Sequence, residues 1–172
     1  MYAHALRILA LAWILTLSAC GANGEIKTIQ DPFNGPQRAF ARYLDFGHYT
    51  AVGMAEGGGK YSVQVLVVMP GQAHNVGHAG DKGLFKLGAE TFTLDAGGDA
   101  KPVTGVNQTQ IFTQWMVVFN VSRDELLKFA QAPLSAVKVA IGDITLQLAV
   151  SPDDAALIQR NARTLAGTTP PQ

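Results

Sequence analysis

The sequence predicts a mainly β domain of the α+β class. It reads as an antiparallel β-sandwich or open barrel of about seven strands, with two helices late in the chain. Three observations lead there. Apolar residues alternate with period 2 through much of the 172-residue chain. Two strand pairs flank two-residue turns that begin with glycine. Two helix-start signatures occur, both beyond residue 121.

The alternation begins at Phe46. Phe46, His48, Thr50, Val52 and Met54 share one face, and Glu56 to Gly59 reads as a loop. Tyr61, Val63, Val65, Val67 and Met69 then line one face of a strand. Leu66 and Val68 make its far end apolar on both faces, as expected of a central strand. Pro70-Gly71 ends it. Leu84 to Leu87 and Glu90 to Leu94 flank Gly88-Ala89, which sets Phe85 opposite Phe92. Asp95 to Val106, rich in glycine, reads as a long loop. Gln110 to Val121 reads as a long strand, with Ile111, Thr113, Trp115, Val117, Phe119 and Val121 on one face. Phe112, Met116 and Val118 make the other face apolar too. Val137 to Ile141 and Ile144 to Leu148 flank Gly142-Asp143. That register puts Val137, Val139 and Ile141 beside Leu148, Leu146 and Ile144, all on one face, so turn type and pattern agree. Arg38 to Asp45 fits either a short helix or a strand.

Both helices carry their starts in the sequence. Ser122 with Glu125 is a capping box, and Leu126, Leu127, Phe129 and Ala130 give the buried stripe before Pro133. Ser151-Pro152-Asp153-Asp154 places proline at the first helical position and acids at the positive end of the helix dipole. That helix runs to about Ala166, with Gly167 as its stop. The strand, capped helix and hairpin of residues 110–150 are similar in pattern to domains of uncharacterised bacterial secreted proteins. That resemblance implies no function and carries no site residues.

The N-terminus supplies an address. Arg7 closes a short positive region, and Ile8 to Leu17 is an apolar run. It is too short to span about 30 Å of hydrocarbon, which needs about 20 residues. Leu17-Ser18-Ala19-Cys20 follows and resembles the lipobox of bacterial lipoproteins. The resemblance implies a signal peptide over residues 1–19, cleavage before Cys20 and a diacylglycerol on its thiol. By resemblance to enterobacterial sorting, Gly21 after the lipidated cysteine points to the outer membrane, facing the periplasm. Residues 20–30 are expected as lipidated cysteine and flexible tether, 31–167 as one β-rich domain and 168–172 as a tail. Asp31 to Pro36 is turn chemistry.

Composition narrows function by exclusion. Cys20 is the one cysteine in the chain. No intramolecular disulfide, thiolate zinc site or cysteine nucleophile can form. Lys and Arg number 13, as do Asp and Glu. Removing residues 1–19 takes away Arg7 and leaves a formal charge of −1. Such a chain has no broad basic field for nucleic acid. No Gly-x-Ser-x-Gly elbow or Walker A loop occurs. No catalytic residue is assigned, and no cofactor is expected beyond the lipid on Cys20.

One segment could carry chemistry. Met69 to Gly83 holds His74, His78 and Asp81, a His-x3-His pair plus a carboxylate, which suits zinc or copper if the loop folds around the ion. Its glycines argue against the helix that would align the two rings. His48, on a strand face with Phe46 and Val52, reads as a hydrogen-bonded strand residue. Trp115, Phe112 and Phe119 could line a sugar or lipid platform, but their spacing is that of a core. The favoured reading is a membrane-anchored envelope lipoprotein whose domain interacts with another protein or supports assembly. The alternative is a small-ligand or metal-binding lipoprotein using the His74–Asp81 loop. A third is an enzyme of unrecognised type, which would need a deep pocket with convergent polar groups.

Overall fold

A computed structural model describes residues 24–31, 35–46, 48–107 and 110–167. Among these, ten strands form two antiparallel sheets. In chain order they are β1 (Lys27–Asp31), β2 (Gly35–Phe46), β3 (His48–Gly57), β4 (Lys60–Pro70), β5 (Lys82–Leu87), β6 (Glu90–Asp95), β7 (Val103–Asn107), β8 (Gln110–Val121), β9 (Leu134–Ile141) and β10 (Ile144–Ala149). The helices are α1 (Arg123–Gln131) and α2 (Pro152–Leu165). The first sheet has the order β1-β2-β3-β4-β8-β7 and the second β10-β9-β5-β6. The predicted class holds: a mainly β, sandwich-like domain with two helices late in the chain.

The core lies between the sheets and under the helices. Register stacks Val52, Val65 and Val117 across three strands, with Met54, Val63 and Phe119 one step along. From the second sheet come Phe85, Val137, Val139 and Ile141, all fully buried. Phe85 meets Phe119 edge-on at 5.4 Å between ring centres and Phe129 of α1 at the same separation. These three rings join the two sheets and the first helix, an arrangement worth more than its area alone. The sheets approach so closely here that a Cβ on Gly83 would lie 2.5 Å from Phe119 Cζ. Leu126, Phe129 and Ala130 bury the predicted face of α1, and Ile158, Ala162 and Leu165 are the buried apolar side chains of α2 facing the core.

Both glycine hairpins form in the predicted register. Phe85 pairs with Phe92, and Ile141, Val139 and Val137 pair with Ile144, Leu146 and Leu148. Both caps form as well: Ser122 and Glu125 bond reciprocally, and the Ser151 side chain accepts from Asp154 N. Arg38 to Asp45 resolves to strand.

Three strands exceed the expected seven, and two of them correct specific expectations. Residues 27–30, expected within a flexible tether, belong to β1 and pair with β2 from Lys27↔Ala39 to Asp31↔Gly35. Even before the strand the chain is held, because Asn161 Nδ2 donates to Gly24 O at 2.5 Å. Residues 103–106, expected at the end of a long loop, belong to β7 and pair with β8. β1 and β7 are the edges of the first sheet. An edge strand buries little, so its sequence need not alternate cleanly. Residues 32–34 of the expected Asp31–Pro36 turn lie outside the described residues, as do Cys20, the whole of 1–23 and the tail 168–172.

Candidate functional site

The His74–Asp81 loop carries the chain from β4 in one sheet to β5 in the other. Its fixed points are backbone and side-chain bonds to the domain itself. Gly71 N donates to Ile111 O at 2.7 Å. Thr113 Oγ1 donates to Gly71 O at 2.8 Å and accepts from Ala73 N at 3.0 Å. Trp115, 1% exposed, donates its indole N–H to Asn75 O at 2.8 Å. Gly77 and Ala100 exchange two backbone bonds of 2.9 Å, joining the loop to the chain before β7.

Asp81 is the centre of the arrangement. Its Oδ2 accepts from His78 N at 2.8 Å and from Gly142 N at 3.0 Å. Asn75 bonds the carboxylate of Asp143 next to it. The loop is thereby fastened to the tip of the β9–β10 hairpin. Gly142 has φ 59° and its Cα faces Val76 O, which a Cβ would approach to 2.7 Å. Only glycine fits both demands. The two backbone donors, that of His78 first and that of Gly142 second, hold the Asp81 carboxyl below its ordinary value, against a smaller opposing effect of burial.

The sequence-predicted ligand trio is therefore not a gathered site. His74 and His78 are exposed, and the Asp81 carboxylate faces two backbone N–H groups. Among the described residues no three His, Cys, Asp or Glu side chains come together in a way that could hold a metal ion. The length and glycine content that marked the loop in the sequence are explained by its path between sheets. Trp115 and Phe119 are core, while Phe112 is half-buried on the opposite face of β8. His48 pairs with Phe46 at the β2–β3 turn, and its side chain lies outside what is described.

Three surface features had no sequence signal. The first is the β7 edge. Val106 and Ile111 sit opposite each other across the β7–β8 ladder, 76% and 50% exposed, and Val103 is 43% exposed. β7 has no charged residue. The second is the setting of α2, where arginines from distant parts of the chain converge. Arg38 Nη2 donates to Leu165 O at 3.2 Å and Arg123 Nε to Ala166 O at 3.0 Å. Arg163 Nε donates to Ala130 O at 2.8 Å, and Arg42 pairs with Asp154 at 2.5 Å. Cations at a helix C-terminus complement its dipole, which gives the contacts of Arg38, Arg123 and Arg163 a structural role, whereas Arg42 pairs with a carboxylate in the first turn of α2. The third is a shallow concavity of about 380 Å³ lined by Thr28, Pro36, Arg38, Glu56, Gly58 and Gly59. Its charged groups, Arg38 and Glu56, are bonded to each other at 3.0 Å.

No family model, curated protein or solved structure matches the chain.

Proposed function

We propose that this chain is a lipid-anchored protein of the bacterial envelope whose domain is a non-catalytic interaction module. The anchor rests on Leu17-Ser18-Ala19-Cys20 after its short apolar run. The observation that carries the interaction reading is the β7 edge. Native sheets blunt their edges with charge, proline or a covering element. β7 has no charge and exposes Val103 and Val106, and Ile111 of the neighbouring β8 is exposed opposite Val106. Such an edge accepts an extended segment from another polypeptide. Backbone bonds would supply affinity, and the apolar side chains selectivity.

Several polar groups among the described residues are committed within the domain. Asp81, Thr113, Trp115 and Asp154 each bond a named partner of the same chain. That pattern favours a scaffold over a reaction centre.

Two experiments test the proposal. Metabolic labelling with a fatty acid should mark the wild type and not Cys20→Ser. Label retained by the variant would refute the anchor. A photo-cross-linking residue at Val103, in intact cells, should give a discrete adduct that is lost when Val106→Lys and Ile111→Lys are introduced. An adduct unchanged by those two lysines would refute the β7 edge as the contact surface.

A further inference from the structure

Lipidation of Cys20, if it anchors the chain, also orients it, because Gly24 is part of the folded domain. Gly24 is buried, and its carbonyl accepts from Asn161 of α2. A Cβ there would collide with Leu157 of the same helix, so the chain lies directly against α2. Four Cα–Cα steps of 3.80 Å separate Cys20 from Gly24, a reach of at most about 15 Å. A tether that short cannot let the domain turn freely above the lipid.

On the lipid-anchored reading above, we propose that the α2 side of the domain is its membrane-facing surface. The partner there is the phosphate of phospholipid headgroups, met by arginine. Four arginines of this side, Arg38, Arg42, Arg123 and Arg163, already bond carbonyl or carboxylate groups of the domain, so the phosphate contact falls to Arg160. Arg160 is exposed on α2, one residue before Asn161. Planar guanidinium groups match phosphate oxygens in a two-bond geometry that lysine cannot reproduce. Acids share the surface. Glu56 pairs with Arg38, Asp154 pairs with Arg42, Glu125 holds the α1 cap, and Glu25, Asp124 and Asp153 are exposed. The charges nearly balance, so the surface does not seek anionic membranes by net charge. It contacts any phospholipid phosphate once the anchor has brought it within reach.

This placement has a geometric consequence for the β7 edge. α2 packs against β2 and β3, and β1 and β7 are the two edges of the first sheet. Five strand spacings of about 4.8 Å separate β1 from β7 along the sheet, roughly 24 Å. The apolar edge is thus a different surface from the proposed membrane contact.

The test uses the full lipidated chain in phosphatidylcholine vesicles containing a lipid with a nitroxide on its headgroup. The Cys20 sulfur is consumed in the thioether, so an introduced cysteine is the one free thiol for a fluorophore. Ala156→Cys places the label on exposed α2, and Val106→Cys places it on β7. Quenching should be several-fold stronger at the first position. Arg160→Glu, a surface change that should leave the circular dichroism spectrum intact, should move the two values together. Equal quenching in protein that floats with the vesicles would overturn the orientation while leaving the anchor standing. Failure to float would overturn the anchor, and the orientation with it. A quenching ratio untouched by Arg160→Glu would overturn the arginine contact.

Discussion

Replacing Asp81 by alanine should separate the His74–Asp81 loop from the β9–β10 hairpin without touching the core. The wild-type carboxylate accepts two backbone bonds, at 2.8 and 3.0 Å, from His78 and Gly142. A bond to a charged group contributes about 1.5–3 kcal/mol when sheltered, and less where water competes. Asp81 is only half-buried and His78 is exposed. The lower end of the range therefore applies, and the pair together should contribute about 2 kcal/mol. For a domain of this size that is about 4–8 °C in Tm. The Asp81→Asn variant keeps a neutral acceptor and should lose about half as much.

The acid dependence gives a sharper test than the magnitude. The Asp81 carboxyl is held below its ordinary value in the folded protein. A depressed carboxyl contributes stability that is fully present above the unfolded value, about 3.9, and is lost as pH falls through the lower native value. Urea unfolding followed by circular dichroism, from pH 7 down to pH 2.5, should show a constant gap between wild type and Asp81→Ala at neutral pH. That gap should close below about pH 4. Salt should reduce it little, because the partners are backbone dipoles at bonding distance. A gap below about 0.5 kcal/mol at pH 7 would mean that the loop is not held by this carboxylate. A gap that widened as the pH fell would contradict the sign of the argument.

Core predictions follow from burial in the second sheet. Val139→Ala should cost about 2–3 kcal/mol by lost burial and cavity formation, whereas Leu146→Ala, at a half-buried position, should cost about 1; urea midpoints check both, and the reverse ranking would mean that β10, not β9, holds the more deeply buried part of their shared face. Gly83→Ala should cost about 3 kcal/mol by overpacking, because the new Cβ would fall within 3 Å of both Phe119 and Phe85. A thermal shift of less than a degree there would show that the sheets can part without penalty.

What was legible in the sequence is what local chemistry decides. The hairpin at Gly142-Asp143 pairs a turn that needs positive φ with two alternating strands, so register and turn point to one answer. Ser122 with Glu125, and Ser151 with Pro152, mark helix starts by side chains that bond neighbouring backbone groups. β1 was not legible because Lys-Thr-Ile-Gln-Asp offers a single apolar side chain, Ile29. β7 was hidden by Gly97, Gly98, Pro102 and Gly105, which together read as loop. The His74–Asp81 loop stands out in the sequence, but its bonding does not. Its spacing suits a metal, but the partners of Asp81 are donated by His78 N and by Gly142, the latter 61 residues away. The arginines around α2 come from three separate stretches of chain, and only the fold brings them together.

The β7 edge and the α2 surface are separate parts of the domain, and this bears on how the molecule could work. A partner that adds a strand to β7 would meet a surface other than α2, so anchor and partner would not compete for space. The joining element is the rigid first sheet, whose central strands β3, β4 and β8 are paired along most of their length. If Cys20 carries lipid, a tether ending at Gly24 would restrict how the domain stands relative to the bilayer. A flexible linker could give the same attachment but not that restriction. The early start of folded structure, at Gly24 in place of the expected tether, is therefore the feature on which a positioning role depends. Inserting a Gly/Ser segment between Cys20 and Gly24 would leave both surfaces intact and remove only the geometry between them.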